Sequence, residues 1–524
     1  MLLSSTATAF VPVRSQEWRL PRSFRSQVLI LLALHVLVWT FVGVVGRSNL
    51  DIPGDMVEAY VWGQSLQWGY YKHPPLSAWI AGFWFKVIPE SHAGYALLTS
   101  LNSAIGLAGI AFLARRLMPA NWALLAVAAA ALTPGITTMC MRFNANAVLL
   151  CTWPWAIALF VRLMQDGRRR DGVACGLVCA LAMLGKYYSG VLLATLVITT
   201  LVVPEWRRRL ITPAPWWAVA TMLALLAPHA AWLVAQADGP LQYAQSAASH
   251  SGGSATSRAL HFGVSQWVFL GLSFGLLALA LRGRLRWPAL AAAVSSLLRP
   301  RAEPLYWLAV LPIAITMLAT VVTGARTASV WGLPIAACAV VLALDRARRH
   351  GVEIDLNRAL RAMLAAWLAV LLLAPLMWLV AARADTMAAS APRAELAAAV
   401  EDAWREVADT PLPWISGTRE LAASVAFYAP SHPQYWSLWG AARETPWANP
   451  GRIRDQGGAI VCARDDDPCI ERASWRQAWR VDLTVAKQAR GFDFAPQHYV
   501  LFLSRPRVTA TPPDTEFGAS HPRT

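Results

Sequence analysis

The sequence predicts an α-helical protein that crosses a membrane many times and ends in a small soluble α/β domain. The 524 residues are 56% hydrophobic and only 15% charged, with mean hydropathy +0.41. A soluble chain carries about 25% charged residues. The apolar residues gather in runs of bilayer length, which need about 17–25 residues each. Arginines fill the short gaps between these runs, and after about Arg383 the long apolar runs stop.

Taken in order, residues 1–27 are polar and basic, with Arg14, Arg19, Arg22 and Arg25, and read as a cytoplasmic segment. The run Val28–Val45 follows with no small-residue cleavage site after it, so it reads as an uncleaved first span. Further spans are expected near 92–114, 119–137, 146–164, 172–186, 187–203, 214–235, 262–281, 305–322, 326–346 and 360–382, making about eleven within residues 28–383. An odd number puts the two termini on opposite sides. Arg115–Arg116, Arg168–Arg170, Arg207–Arg209, Arg282 with Arg284 and Arg286, and Arg346 with Arg348 and Arg349 then share one side. The positive-inside rule makes that side cytoplasmic. The loops 47–91 and 236–261 face outward and carry few basic residues. Leu290–Leu298 is too short to span and reads as an insertion on the arginine side.

Residues 384–508 become rich in Asp, Glu and Pro and read as a soluble outward domain; 509–524 read as a disordered tail. Ala459–Cys462 and Tyr499–Leu503 read as strands. Cys462 and Cys469 are candidates for a disulfide in an oxidising compartment; the other cysteines lie in or near spans and read as small buried hydrophobes. The net charge of +16 raises nucleic acid as a partner. The arginine placement assigns that charge to membrane topology instead. No phosphate-binding loop of the G-x-x-x-x-G-K-[ST] type occurs, and few acidic residues lie inside spans, which argues against an ATP-driven pump and a proton-coupled transporter.

The chemistry concentrates in the first outward loop. Asp51, Asp55 and Glu58 fall within eight positions just outside the first span, and Asp55 and Glu58 share a face of a helix expected over 56–66. Asp55 there serves either as a helix cap or as a reactive carboxylate. Tyr60, Trp62, Trp68, Tyr70, Tyr71, Trp79 and Trp84 fit an interfacial aromatic belt or the walls of a sugar pocket. Lys186 sits at the outward end of an apolar run, where snorkelling and anion binding both account for it. His229 in a helix reads as a satisfied polar group. His250 lies in a Ser/Gly-rich outward loop, and Arg326 flanks a span.

The stretch Trp68-Gly-Tyr-Tyr-Lys-His-Pro-Pro-Leu, preceded by Asp55 at the head of an aromatic helix, resembles the first periplasmic loop of bacterial C-type-fold glycosyltransferases. These are the protein mannosyltransferases of family 39 and the lipid A aminoarabinose and galacturonic acid transferases of family 83. Lys186-Tyr187-Tyr188 and the Arg326–Pro334 stretch extend the resemblance over most of residues 25–385. Two positions depart from the family pattern. Met56 replaces the second acidic residue, and Phe143-Asn144-Ala145-Asn146 stands where a further acidic residue often opens the fourth span.

The resemblance implies an inverting transfer of sugar from a polyprenyl-phosphate-linked donor to a hydroxyl of a lipid, glycan or protein acceptor at the periplasmic face of a bacterial inner membrane. Asp55 would be the base, supported by Glu58 and Asp51. Lys72, His73, Lys186 and Arg326 would hold the donor phosphate. Tyr60, Trp68, Tyr71, Asn144, Asn146 and His250 would line the sugar and acceptor pocket. Because Asn cannot act as a base, the two asparagines leave the family's divalent metal open. A transporter or flippase, and a non-catalytic component of polysaccharide assembly, are the competing readings. The acidic cluster lies outside the first span, whereas transporters place such groups near mid-membrane.

Overall fold

A computed structural model of the chain describes residues 22–51, 54–236, 240, 254–474 and 478–507. The chain divides into two compact units, Met1–Ala389 and Ser390–Thr524.

The first unit is a helical bundle. Its opening helices are α1 (Arg22–Gly46), α2 (Asp55–Gly63), α3 (Leu76–Trp84), α4 (His92–Leu117), α5 (Ala120–Ala130), α6 (Ala145–Asp166), α7 (Arg169–Gly185) and α8 (Ser189–Val202). Helices Pro213–Ala235, Ala255–Phe269, Gly271–Ala280, Pro304–Thr323, Ile335–Arg348 and Leu356–Arg383 complete the run of spans. Among the described residues, seven helices are long and apolar enough to cross a membrane, and Ala255–Ala280 counts as one of them. Each of the remaining runs read as spans in the sequence also holds a helix, but a shorter one: α5, α7, α8 and Ile335–Arg348. Helix α8 bends by 98° into Pro204–Ile211. The stretch after Arg284 forms the nine-residue helix Arg286–Val294, which exposes Trp287. This is a multi-pass membrane protein.

Local sequence sets the ends of these helices. Ser91 caps α4 by accepting from the Gly94 amide at 3.0 Å. Gly167 takes the left-handed conformation that stops α6, with φ +68°. Close packing between helices relies on small residues, as is usual in lipid, where packing rather than water exclusion drives association. A Cβ at Gly106 would lie 2.2 Å from the Leu150 carbonyl oxygen, and one at Gly172 2.2 Å from that of Ala214. The bundle wears its apolar residues outside: Leu37, Leu223, Val268, Val322 and Leu372 are all exposed. Their partners are lipid tails.

The second unit is a small α/β domain. Its strands are β1 (Trp414–Gly417), β2 (Gln434–Tyr435), β3 (Gly458–Ala463), β4 (Trp479–Val485) and β5 (Gln497–Ser504). They order as β2-β1-β3-β5-β4. The first three are parallel, and β5 runs antiparallel to both β3 and β4. The two strands read in the sequence thus pair with each other, Ala459 opposite Leu503. Trp414, Trp436, Val500 and Phe502 fill the core. Cys462 and Cys469 are bonded, with Cα atoms 5.8 Å apart. The tail expected to be disordered, 509–524, lies outside the described residues.

Candidate active site

Asp51 fixes the start of α2. Its carboxylate folds back to accept from the amides of Asp55 at 3.0 Å and Met56 at 2.9 Å. Gly54, at φ +76°, supplies the left-handed residue that makes this reversal possible. Asp51 is therefore the residue that satisfies the helix N-terminus, and it is buried, with its pKa raised by burial. Asp55 is released from capping. Its side chain keeps 32% exposure.

Helix α2 is held by α3 at van der Waals distance. A Cβ on Gly82 would meet the Gly63 carbonyl oxygen at 2.4 Å, so the two helices cross where neither has a side chain. Glu58, one turn after Asp55, is buried and bonded to Lys72 at 2.7 Å. Lys72 also lies 5.6 Å from the Trp62 ring and 5.8 Å from that of Tyr71. Its charge is thus matched by Glu58 and enclosed by aromatic faces. Met56, where the family pattern has an acid, is buried at 2% exposure, and its carbonyl accepts from the Tyr95 hydroxyl.

Asn144 caps α6. Its Oδ1 accepts from the amides of Asn146 at 2.9 Å and Ala147 at 3.1 Å, and its Nδ2 donates to Asp55 Oδ2 at 2.9 Å. The side chain of Asn146 accepts from Lys186 Nζ. Lys186 occupies the break between α7 and α8, buried, with its ammonium 4.5 Å from the centre of the Trp331 ring. Arg142 lies on the other flank of Asp55. Its guanidinium is 3.4 Å from Asp51 and 4.0 Å from Asp55.

Asp55, Glu58, Asn144 and Asn146 meet at a cleft of about 40 Å³, lined also by Ala59, Trp62, His73, Ser77 and Ala145. That volume holds about three waters. A sugar must therefore meet Asp55 from the open side. His73 is half-buried, and burial together with the charges of Lys186 and Lys72 drives its pKa well below the ordinary imidazole range. It is a neutral lining group at pH 7.

The other expected site residues divide. Tyr60 is buried and points its hydroxyl to Glu90 at 3.4 Å, and Tyr71 packs edge-on to Trp62. Trp68 is 48% exposed, packs edge-on to Trp79, and gives its carbonyl to His229 Nδ1 at 2.5 Å. With the Tyr187 hydroxyl on its other nitrogen, His229 is satisfied on both sides and holds the loop to a span. Arg326 is exposed between Gly324 and Ala328, with no ion-pair partner among the described residues. His250 lies outside the described residues. Among the described residues, no group of three His, Cys, Asp or Glu side chains is placed to hold a metal ion. Arg142 was not identified from sequence. Its one signal was a basic residue on the outward side, two positions before the cap of α6.

Comparison with known proteins places this architecture. Residues 72–232 match the family model described as dolichyl-phosphate-mannose-protein mannosyltransferase. The crystal structure of ArnT from Cupriavidus metallidurans bound to undecaprenyl phosphate superposes with TM-score 0.61 at 16% identity, over 91% of this chain and 99% of that one. The same protein in its apo state gives TM-score 0.46 at 16% identity, over 93% and 100%. No curated protein matches the chain. The chain shares the fold of ArnT, and its residues 72–232 carry the likeness to the mannosyltransferase family model.

Proposed function

We propose that the protein is an inverting glycosyltransferase that moves a sugar from a polyprenyl-phosphate-linked donor to an acceptor hydroxyl at the outer membrane surface. The observation that carries this reading is the placement of Asp55. Its carboxylate is relieved of capping by Asp51, stands part-exposed at a cleft, and shares that cleft with Lys186 through Asn146. The family match over residues 72–232 and the fold shared with a protein crystallised on undecaprenyl phosphate support the donor class.

Asp55 accepts the proton of the acceptor hydroxyl as its oxygen attacks the anomeric carbon. The bond from that carbon to the phosphate oxygen breaks on the opposite face, and polyprenyl phosphate leaves with the electron pair. Cations must face the charge that develops there. Among the basic residues around Asp55, Lys186 is the candidate with no carboxylate within ion-pair distance among the described residues, only the Asn146 amide oxygen. Arg142 is the second, while Lys72, held by Glu58, orders the turn. A divalent metal, if one binds, would meet the Asp55 carboxylate at the cleft, since the Asn144 and Asn146 oxygens are already taken by backbone amides and by Lys186, and would add positive charge against the leaving phosphate. The acceptor is a lipid, glycan or protein of the envelope, and the soluble unit faces the periplasm.

Asp55→Asn tests the reading. Transfer from a purified polyprenyl-phosphate sugar should fall by about 10²–10⁴-fold while the variant stays folded. A wild-type rate would remove Asp55 as the base. Mass spectrometry of lipopolysaccharide, glycans and glycoproteins from a deletion strain, searched for one missing sugar, would identify the acceptor.

A further inference from the structure

We infer that Asn144 is a positioning residue that commits one oxygen of Asp55 to a hydrogen bond and leaves the other to take the acceptor proton. This rests on Asp55 being the base. An Asn amide has two chemically different ends, and here the fold decides which end faces Asp55. Oδ1 is held by two backbone amides at the start of α6, Asn146 N and Ala147 N. A carbonyl oxygen accepts those bonds and an NH₂ group cannot. The Nδ2 end is therefore the one directed at Asp55 Oδ2, 2.9 Å away. The donor is rigid because the helix it caps is rigid. Asn144 is thereby engaged at both ends and is not a free sugar ligand.

An acid at this position would cap α6 equally well but would set a second carboxylate against Asp55. The charged and titratable groups already around Asp55 are Asp51 from the preceding loop, Glu58 on its own helix, Lys72 and His73 from the turn, Arg142 before α6 and Lys186 after α7. Lys72, Arg142 and Lys186 are basic and Asp51 and Glu58 acidic, and Lys72 and Arg142 already face Glu58 and Asp51. One more carboxylate leaves an excess negative charge that only protonation relieves.

Two variants of the full-length protein in lipid nanodiscs test this, assayed with the polyprenyl-phosphate sugar. Asn144→Asp keeps the cap and inverts the polarity facing Asp55. Its acid limb should move to higher pH by one unit or more. Asn144→Ser keeps a capping oxygen and loses the donor. Its kcat should fall about 10- to 100-fold, with the donor KM within twofold of wild type. A purely structural cap would leave the pH limb of Asn144→Asp unmoved, and that result, in a folded variant, overturns the inference. If Asp55→Asn retains full activity, the base assignment fails and this role fails with it. If Asp55→Asn is inactive and both Asn144 variants behave as wild type, only the role of Asn144 is lost.

Discussion

The bundle holds charged residues at both ends of α6, and the two ends use them differently. At the arginine-rich end the charges are closed into pairs. Arg162 meets Asp171 at 2.7 Å, Arg116 meets Asp166, and Arg349 is shared between Asp345 at 2.7 Å and Glu303 at 2.8 Å. Arg346, buried, faces Glu303 at 2.5 Å. At the other end, about 33 Å away along a 22-residue helix, Glu58–Lys72 is closed at 2.7 Å, while Arg142 stands off at 3.4 Å from Asp51 and 4.0 Å from Asp55. Asp55 is bonded to an amide, and Lys186 to another. A closed ion pair sets topology and holds helices. A carboxylate and an ammonium kept apart by two asparagines remain available to a substrate.

Breaking the arginine-rich end should give the largest effect. Glu303→Ala strips two arginines of their shared carboxylate and leaves Arg346 buried without its partner. It should cost about 3–5 kcal/mol of stability, read as the thermal midpoint in detergent. Transfer per folded molecule should be unchanged, because Glu303 lies at the far end of the bundle.

The cleft end should respond the other way. Lys186→Met preserves the apolar stem and removes the charge. Transfer should fall by about 10²–10³-fold with little change in thermal midpoint. Equal loss of stability and rate in this variant would erase the contrast between the two ends.

A pH series separates them further. The His73 pKa is depressed in the folded protein, so folding favours the neutral ring. That contribution is complete above about pH 6.5, the unfolded value, and is lost as the pH falls toward the folded value. His73→Asn should therefore flatten the decline in stability below about pH 6.5, measured against wild type in the same detergent. A decline of unchanged steepness would show that the ring is not held neutral.

The smallest effect is expected outside both regions. In the soluble unit, Arg405 and Asp402 pair at 2.6 Å, but both side chains are mostly exposed. Arg405→Ala should alter stability by no more than about 0.5 kcal/mol.

The many-helix membrane architecture and the sheet-bearing C-terminal region were legible because each depends on composition over a window or on short-range pattern. The cluster Asp51, Asp55 and Glu58 was legible as a group, since three acids just outside a span are conspicuous. Its division of labour was not. Sequence left Asp55 as cap or base, and the structure gives the cap to Asp51 through the left-handed Gly54. The Lys72–Glu58 pair was not legible, because its members stand fourteen residues apart and only the turn brings them together. Arg142 escaped notice because its meaning comes from Asp51 and Asp55, some ninety positions earlier.

The sequence by itself determined that the chain lives in a membrane and that its apolar spans give way to a different, sheet-bearing C-terminal region. Transfer of apolar side chains out of water depends on composition and order alone, so these properties need no knowledge of contacts. Only the tertiary structure decided which carboxylate stays free, which cation stays unmatched, and which end of the Asn144 amide faces Asp55. Charge pairing and hydrogen bonding act over a few ångströms, and those distances exist only after α2, α6 and the break after α7 have packed together.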